Sequence, residues 1–165
     1  MKPKVFLTRE LPPKAMERLL KHTDLEYNKE DRVLTKEEII AGVKGKDALL
    51  CLLTDFIDGE IMDANPNLQI IVNYAVGFNN IDVKAATERK IPVTNTPGVL
   101  TETSADLAFT LLVSTARRIV EGDNFLRTGK WNGWGPLQYL GSDIYGATLG
   151  IIGLGRIGKA VAKRA

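Results

Sequence analysis

Gly153, Gly155 and Gly158 stand in the run Gly-Leu-Gly-Arg-Ile-Gly, directly after the apolar stretch Thr148-Leu149-Gly150-Ile151-Ile152. That order predicts a strand, a glycine turn and then a helix from Arg156 to Ala165. In such a unit the first glycine permits the tight turn and the second lets the main chain approach a pyrophosphate. The third lets helix and strand pack closely. The N–H groups of the first helical turn, which have no partner inside the helix, are then free to hold phosphate oxygens. The motif alone is a weak signal. The apolar run before it and Lys159-Ala160-Val161-Ala162 after it supply the context for a dinucleotide site built from Gly153, Gly155, Arg156, Ile157 and Gly158. The competing reading is a β–α turn whose glycines serve packing only.

A second place for chemistry lies earlier. Two segments, Leu52-Leu53-Thr54-Asp55 and Ala75-Val76-Gly77-Phe78-Asn79-Asn80-Ile81-Asp82, each follow an apolar run that reads as a strand. Loops at the C-terminal ends of parallel strands collect ligands. A glycine in a strand-to-helix turn leaves N–H groups free for an anion, so the amides of Val76 and Gly77 could cradle a carboxylate. The plainer alternative is a capped turn in which Gly77 supplies a positive φ and Asn80 or Asp82 caps the next helix.

Other candidates are weaker. His22, the only histidine, ends a helical pattern beside Lys21, where a cation favours the helix dipole. Glu102 and Asp106 lie near a helix start and read as dipole or capping residues, and Arg117-Arg118 as solvated surface. Cys51, the only cysteine, sits in Leu-Leu-Cys-Leu-Leu and reads as a buried, inert thiol. No His, Asp, Glu or Cys cluster has metal-ligand spacing. Trp131 and Trp134 read as interface residues.

The elements that must position these groups alternate between short apolar runs and helical patterns. Strands are expected at Lys4–Thr8, Asp24–Tyr27, Asp47–Leu53, Leu68–Tyr74 and Ile91–Thr94, the third and fourth buried on both faces. Helices are expected at Pro12–Lys21, from Thr35 to Val43, at Asp58–Ala64 and at Ile81–Arg89. The second of these opens with Thr35-Lys36-Glu37-Glu38, a capping-box pattern. This is an α/β chain: a flavodoxin-like parallel sheet, followed by the start of a Rossmann unit. Asn95-Thr96-Pro97-Gly98 marks a boundary between a domain at 1–97 and a second at 98–165. Within the second, one long helix is expected over Thr101–Phe125 with a wide apolar face, then an extended arm from Thr128 to Gly146.

Composition narrows the classes. The 22 Lys and Arg residues nearly balance 20 Asp and Glu, for a net charge of +2, and they are scattered. That argues against nucleic-acid or membrane partners. No apolar run approaches the roughly 18 residues of a membrane span, and the N-terminus has no signal-peptide pattern. The expectation is a cytoplasmic protein.

Taken together, the runs Asn73–Asp82, Val93-Thr94-Asn95-Thr96-Pro97-Gly98-Val99-Leu100-Thr101, Ser104–Ala108, Tyr145-Gly146 and Gly150–Gly158 resemble the D-isomer-specific 2-hydroxyacid dehydrogenases. The glyoxylate/hydroxypyruvate reductase branch is the nearest. The resemblance runs the length of the chain and implies an oxidoreductase that uses NAD(H) or NADP(H) on a small 2-oxo acid. Residues 1–97 would be the substrate domain, with Val76, Gly77 and Leu53 at the substrate carboxylate. Ser104 would touch the nicotinamide side, and Gly153, Gly155, Arg156, Ile157 and Gly158 would hold the pyrophosphate. The segment 101–146 would form a homodimer. Asn79 stands where many relatives carry Asp, and Gln138 and Tyr139 stand where some reductases extend a Trp into the partner's site. The family's catalytic Arg, Glu and His are expected beyond residue 165, so this chain alone is expected to be inactive. A non-catalytic NAD(H)-sensing interaction protein of the same family is the alternative.

Overall fold

The computed structural model describes residues 1–165, which divide into two compact units, Met1–Pro97 and Gly98–Ala165. The first contains β1 (Lys4–Leu7), α1 (Pro13–His22), β2 (Asp24–Tyr27), α2 (Lys36–Val43) and β3 (Ala48–Leu52). It continues with α3 (Gly59–Asp63), β4 (Ile70–Tyr74), α4 (Val83–Glu88) and β5 (Val93–Thr94). The strands form one sheet in the order β2-β1-β3-β4-β5, and every pairing is parallel. This is the flavodoxin-like order expected from the sequence, with β1 central to the first crossover and each helix returning the chain to the same starting edge.

Local chemistry explains where the helices begin. α1 opens on Pro12-Pro13, whose fixed φ suits a first turn, and ends with Lys21 and His22 at the negative end of the dipole. The capping box of α2 is formed: Thr35 Oγ1 accepts from Glu38 N, and Glu38 Oε2 accepts from Thr35 N at 2.8 Å. Arg32 donates to the same carboxylate at 2.6 and 2.8 Å, and with the Thr35 amide it holds the Glu38 carboxyl down at about 2. The cap is therefore charged, and accepting, throughout the neutral range.

The two faces of the sheet are unequal. Phe6, Leu49, Cys51 and Ile71 point into the main core with Ile39, Val43, Ile61 and Met62 from α2 and α3. On the opposite face Leu7 packs with Leu11 and Met16, flanked by Leu50 and Leu52, under α1 alone. Expected burial on both faces of β3 and β4 is thus corrected: Leu49 and Ile71 are fully buried, whereas their neighbours in each strand are half-covered. A parallel strand is buried on both sides only where helices cover both.

The second unit holds α5 (Thr101–Ala116), α6 (Ile119–Arg127) and α7 (Arg156–Ala162). The single helix expected over Thr101–Phe125 is broken at Arg117-Arg118, where Arg118 adopts a left-handed φ of 54°. The returning arm supplies the reason. Continuing the helix would require the Val120 amide to take the Ala116 carbonyl, but the Ser142 amide takes it, at 2.8 Å. Arg117 pairs with Asp143 at 2.9 Å. Arg118 lies over the Tyr139 ring, which itself meets the Phe125 ring at 5.1 Å between centroids. The arm carries no regular element, as expected. Glu102 and Asp106 do not cap α5; they receive Arg164 at 2.9 and 2.6 Å and staple α5 to the end of α7. The strand expected over Thr148–Ile152 forms no ladder, since no other strand of the chain lies beside it to pair with. No helix is long and apolar enough to cross a membrane.

Two outcomes follow from the core. Ile71→Ala removes a fully buried side chain of β4 from the main core and is expected to destabilise the first unit by about 2–5 kcal/mol, read as a lower urea midpoint. Cys51 is 0 % exposed, and burial, with Asp55 nearby, pushes its thiol up to about 12. It should resist alkylation by iodoacetamide at pH 8 in the folded chain and react promptly in denaturant.

Candidate functional site

The loops that leave β3 and β4 lie side by side at the C-terminal edge of the sheet. Strand register sets this: Leu52 is opposite Tyr74, so Leu53 and the turn beginning at Ala75 emerge next to one another. Further along, Ile57 and Ile81 form an isolated parallel bridge. The Ile57 amide donates to Asn80 O at 2.9 Å, and the Asp82 amide donates to Ile57 O at 2.8 Å. Asp58 and Asp82 then cap α3 and α4, Asp82 by accepting from the Ala85 amide at 2.8 Å. Of the two residues proposed as caps for α4, Asp82 is the one that serves.

Asn80 does something else. It is buried, and its carboxamide donates to Leu52 O at 3.1 Å and to Asp55 O at 3.0 Å. Its oxygen accepts from Asn73 Nδ2 at 3.0 Å. Asn73 Nδ2 also donates to Gly77 O at 2.9 Å. Asp55 Oδ2 accepts from the Thr8 hydroxyl at 2.5 Å and from the Leu52 amide at 2.8 Å. Four polar side chains, Thr8, Asp55, Asn73 and Asn80, thus bind the ends of β1, β3 and β4 into one network. Burying them is tolerable because they satisfy one another and the loop carbonyls; no buried side-chain nitrogen or oxygen lacks a partner.

Sequence reading passed over Thr8 and Asn73. The available signal was a polar residue inside an apolar strand, Asn73 in Ile-Ile-Val-Asn-Tyr, which must find a specific partner.

The network displays Leu53, Val76 and Gly77 at the surface, with Leu53 66 % and Val76 40 % exposed. The N–H groups of Val76 and Gly77 take no hydrogen bond within the chain. Asn95 Nδ2 holds Val76 O at 2.8 Å. Gly77 does not adopt the positive φ of the alternative reading. A Cβ there would meet only the exposed Asn79 side chain, Oδ1 at 3.3 Å, which can give way.

In the second unit the glycine turn has the features that its motif requires. Gly153 has φ of 92°, in the left-handed region. A Cβ on Gly158 would collide with the Gly153 carbonyl, so only glycine lets the turn and α7 approach this closely. A Cβ on Gly155, the N-cap of α7, would enter open space. Arg156, Ile157 and Gly158 make up the first turn of α7, and Ser104 lies half-buried in the first turn of α5. His22 lies at the opposite edge of the first unit's sheet from Val76 and Gly77, because it precedes Asp24, which pairs with Lys4 at the strand starts. No group of three or more His, Cys, Asp and Glu is arranged to hold a metal ion.

Residues 5–161 match the family described as D-isomer specific 2-hydroxyacid dehydrogenase, catalytic domain. Similar proteins include glyoxylate reductases of Korarchaeum cryptofilum, 55% identical over 100% of this chain and 50% of that protein, and of Thermococcus gammatolerans, 51% identical over 100% and 51%. Among solved structures, a Thermus thermophilus protein is 47% identical with a TM-score of 0.91, over 98% of this chain and 52% of that one. An NADPH-dependent glyoxylate/hydroxypyruvate reductase from Sinorhizobium meliloti, in complex with NADP and malonate, is 32% identical with a TM-score of 0.79, over 99% and 50%. The chain thus spans about half the length of the relatives it matches. With its family match over residues 5–161 and its parallel five-stranded fold, this chain belongs to the D-isomer-specific 2-hydroxyacid dehydrogenases.

Proposed function

We propose that the chain is the N-terminal portion of a nicotinamide-dependent reductase of small 2-oxo acids, of the glyoxylate/hydroxypyruvate kind. The observation that carries the reading is the pair of unpartnered amides at Val76 and Gly77, at the C-terminal edge of a parallel sheet. In this reading residues 1–97 form the substrate domain, and the two amides receive the substrate carboxylate. Leu53, on the neighbouring loop, supplies an apolar wall that orients the rest of a small molecule. Residues 98–165 carry the start of the cofactor domain. Ser104 contributes at the nicotinamide side, and Gly153, Gly155, Arg156, Ile157 and Gly158 accommodate the pyrophosphate.

The glycine turn fits such a group: its backbone is open at Gly155, and the helix start presents N–H donors. Bound NADH or NADPH would supply a hydride to the carbonyl carbon. The chain's own residues bind and orient, and none of them is placed to deliver the accompanying proton, because the single histidine is at the far edge of the sheet. The 165-residue chain by itself is therefore inactive in this proposal.

The apolar residues that α5, α6 and the arm leave in solvent, among them Leu107, Leu111, Ile119 and Trp134, support a homodimer through 101–146.

Three measurements test these statements. Mixing the pure chain with NADH and glyoxylate should leave the nicotinamide absorbance constant, and measurable turnover would overturn the assignment of inactivity. Titrating NADH calorimetrically should give weak binding. Micromolar affinity without turnover would favour an NAD(H)-sensing interaction protein of the same family. Light scattering should report a dimer, whereas a clean monomer at high concentration would remove the role given to 101–146.

A further inference from the structure

We infer that the carboxylate cradle has a third donor, the Phe78 amide, and that Asn73 and Asn95 are positioning residues that turn its N–H groups outward. The inference rests on the reading of Val76 and Gly77 as the carboxylate site and extends it to groups that reading does not use.

The basis is the fate of three successive carbonyls. Ala75 O accepts from the Thr96 amide at 2.9 Å. Val76 O accepts from Asn95 Nδ2 at 2.8 Å, and Gly77 O accepts from Asn73 Nδ2 at 2.9 Å. The chain contains no cis peptide bonds. In a trans peptide the C=O and the N–H of the same unit point in opposite directions. Each carbonyl fastened to the protein therefore sends the next residue's N–H away from its anchor. The three amides released in this way are those of Val76, Gly77 and Phe78, and none of them takes a hydrogen bond within the chain.

Unpartnered N–H groups on consecutive residues need an acceptor, which solvent supplies when no ligand is bound. A carboxylate has two oxygens and room for several donors, so a three-amide turn suits it better than a two-amide one.

Asn73 is not needed as a filler of the core. It is fully buried at a position flanked by apolar residues, where a hydrocarbon side chain would carry no desolvation cost. What its carboxamide adds is a bond to Gly77 O, an exchange of bonds with the Asn80 carboxamide and an acceptor for the Cys51 thiol, which together tie the turn to the loop after β3. Asn95, only half-buried, fastens the preceding carbonyl from the end of β5.

The test is a titration of the isotope-labelled 165-residue chain with oxalate, followed amide by amide in nitrogen–proton correlation spectra. The Val76, Gly77 and Phe78 signals should move together and saturate at one affinity. Asn95→Ala frees Val76 O and should abolish the Gly77 response selectively, keep that of Val76 and weaken oxalate binding about tenfold, the equivalent of one hydrogen bond to a charged group. Asn73→Ser should abolish the Phe78 response selectively. If that variant fails to fold, the Asn95→Ala result and the unaltered chain decide.

Saturable shifts at Val76 and Gly77 with Phe78 unmoved would overturn the third donor and leave the carboxylate site standing. Unchanged per-amide responses in Asn95→Ala would overturn the positioning role. Silence at all three amides in the unaltered chain would overturn the carboxylate site and this inference with it.

Discussion

The ends of β1, β3 and β4 carry four buried polar side chains, and the rest of the first unit depends on how they are satisfied. An amide or carboxylate left without partners there would cost on the order of a few kcal/mol, comparable to much of a small domain's net stability. Thr8, Asp55, Asn73 and Asn80 avoid that cost by bonding to one another and to the carbonyls of Leu52, Asp55 and Gly77. The same bonds specify the loops. A core of Leu and Ile at these positions would pack, but it would leave Leu53 and the Val76-Gly77 turn free to sample other conformations. Here stability and display of the edge arise from one set of contacts.

That arrangement also explains why the turn can offer donors. A parallel sheet brings its loops to one edge but does not dictate which way their peptides face. In this chain the carbonyls of Ala75, Val76 and Gly77 are held by Thr96 and Asn95, just after β5, and by Asn73 of β4. The geometry of the peptide unit does the remainder, since a fastened carbonyl leaves its paired N–H on the other side. The N–H groups of Val76 and Gly77 are left without a partner in the chain, and backbone N–H groups exposed in a turn are fixed dipoles that favour negative charge.

The second unit is organised by a different constraint. Its helices bury little of themselves: Ala105 and Ala160 are the buried apolar residues, while α5 and α6 keep large side chains in solvent. What holds the unit is polar stapling, Arg164 to Glu102 and Asp106, together with the arm's capture of the Ala116 carbonyl and the stacking of Arg118 and Phe125 on Tyr139. A unit of this kind leaves a large apolar surface in solvent.

Local chemistry was legible in the chain. Alternating apolar runs yielded five parallel strands in flavodoxin-like order, Thr35 and Glu38 announced a capping box, and the glycine spacing announced a turn in which Gly153 is left-handed and Gly158 tolerates no side chain. The strands themselves, the capping box and the glycine turn depend on residues a few positions apart, so propensity and spacing are enough to read them. The strand order follows from the alternation of strands and helices, which favours a parallel sheet.

The break at Arg118, the uneven coverage of the sheet and the missing ladder at Thr148–Ile152 were not legible, because each depends on what lies beside the segment rather than within it. The same holds for the candidate site. The sequence by itself determined that Val76 and Gly77 sit in a strand-to-helix turn. Only the tertiary structure decided that Thr8 would meet Asp55 across 47 residues, and that Asn80 would reach Leu52 across 28. A buried polar group must be bonded, but its partner is chosen by the packing of the strands around it.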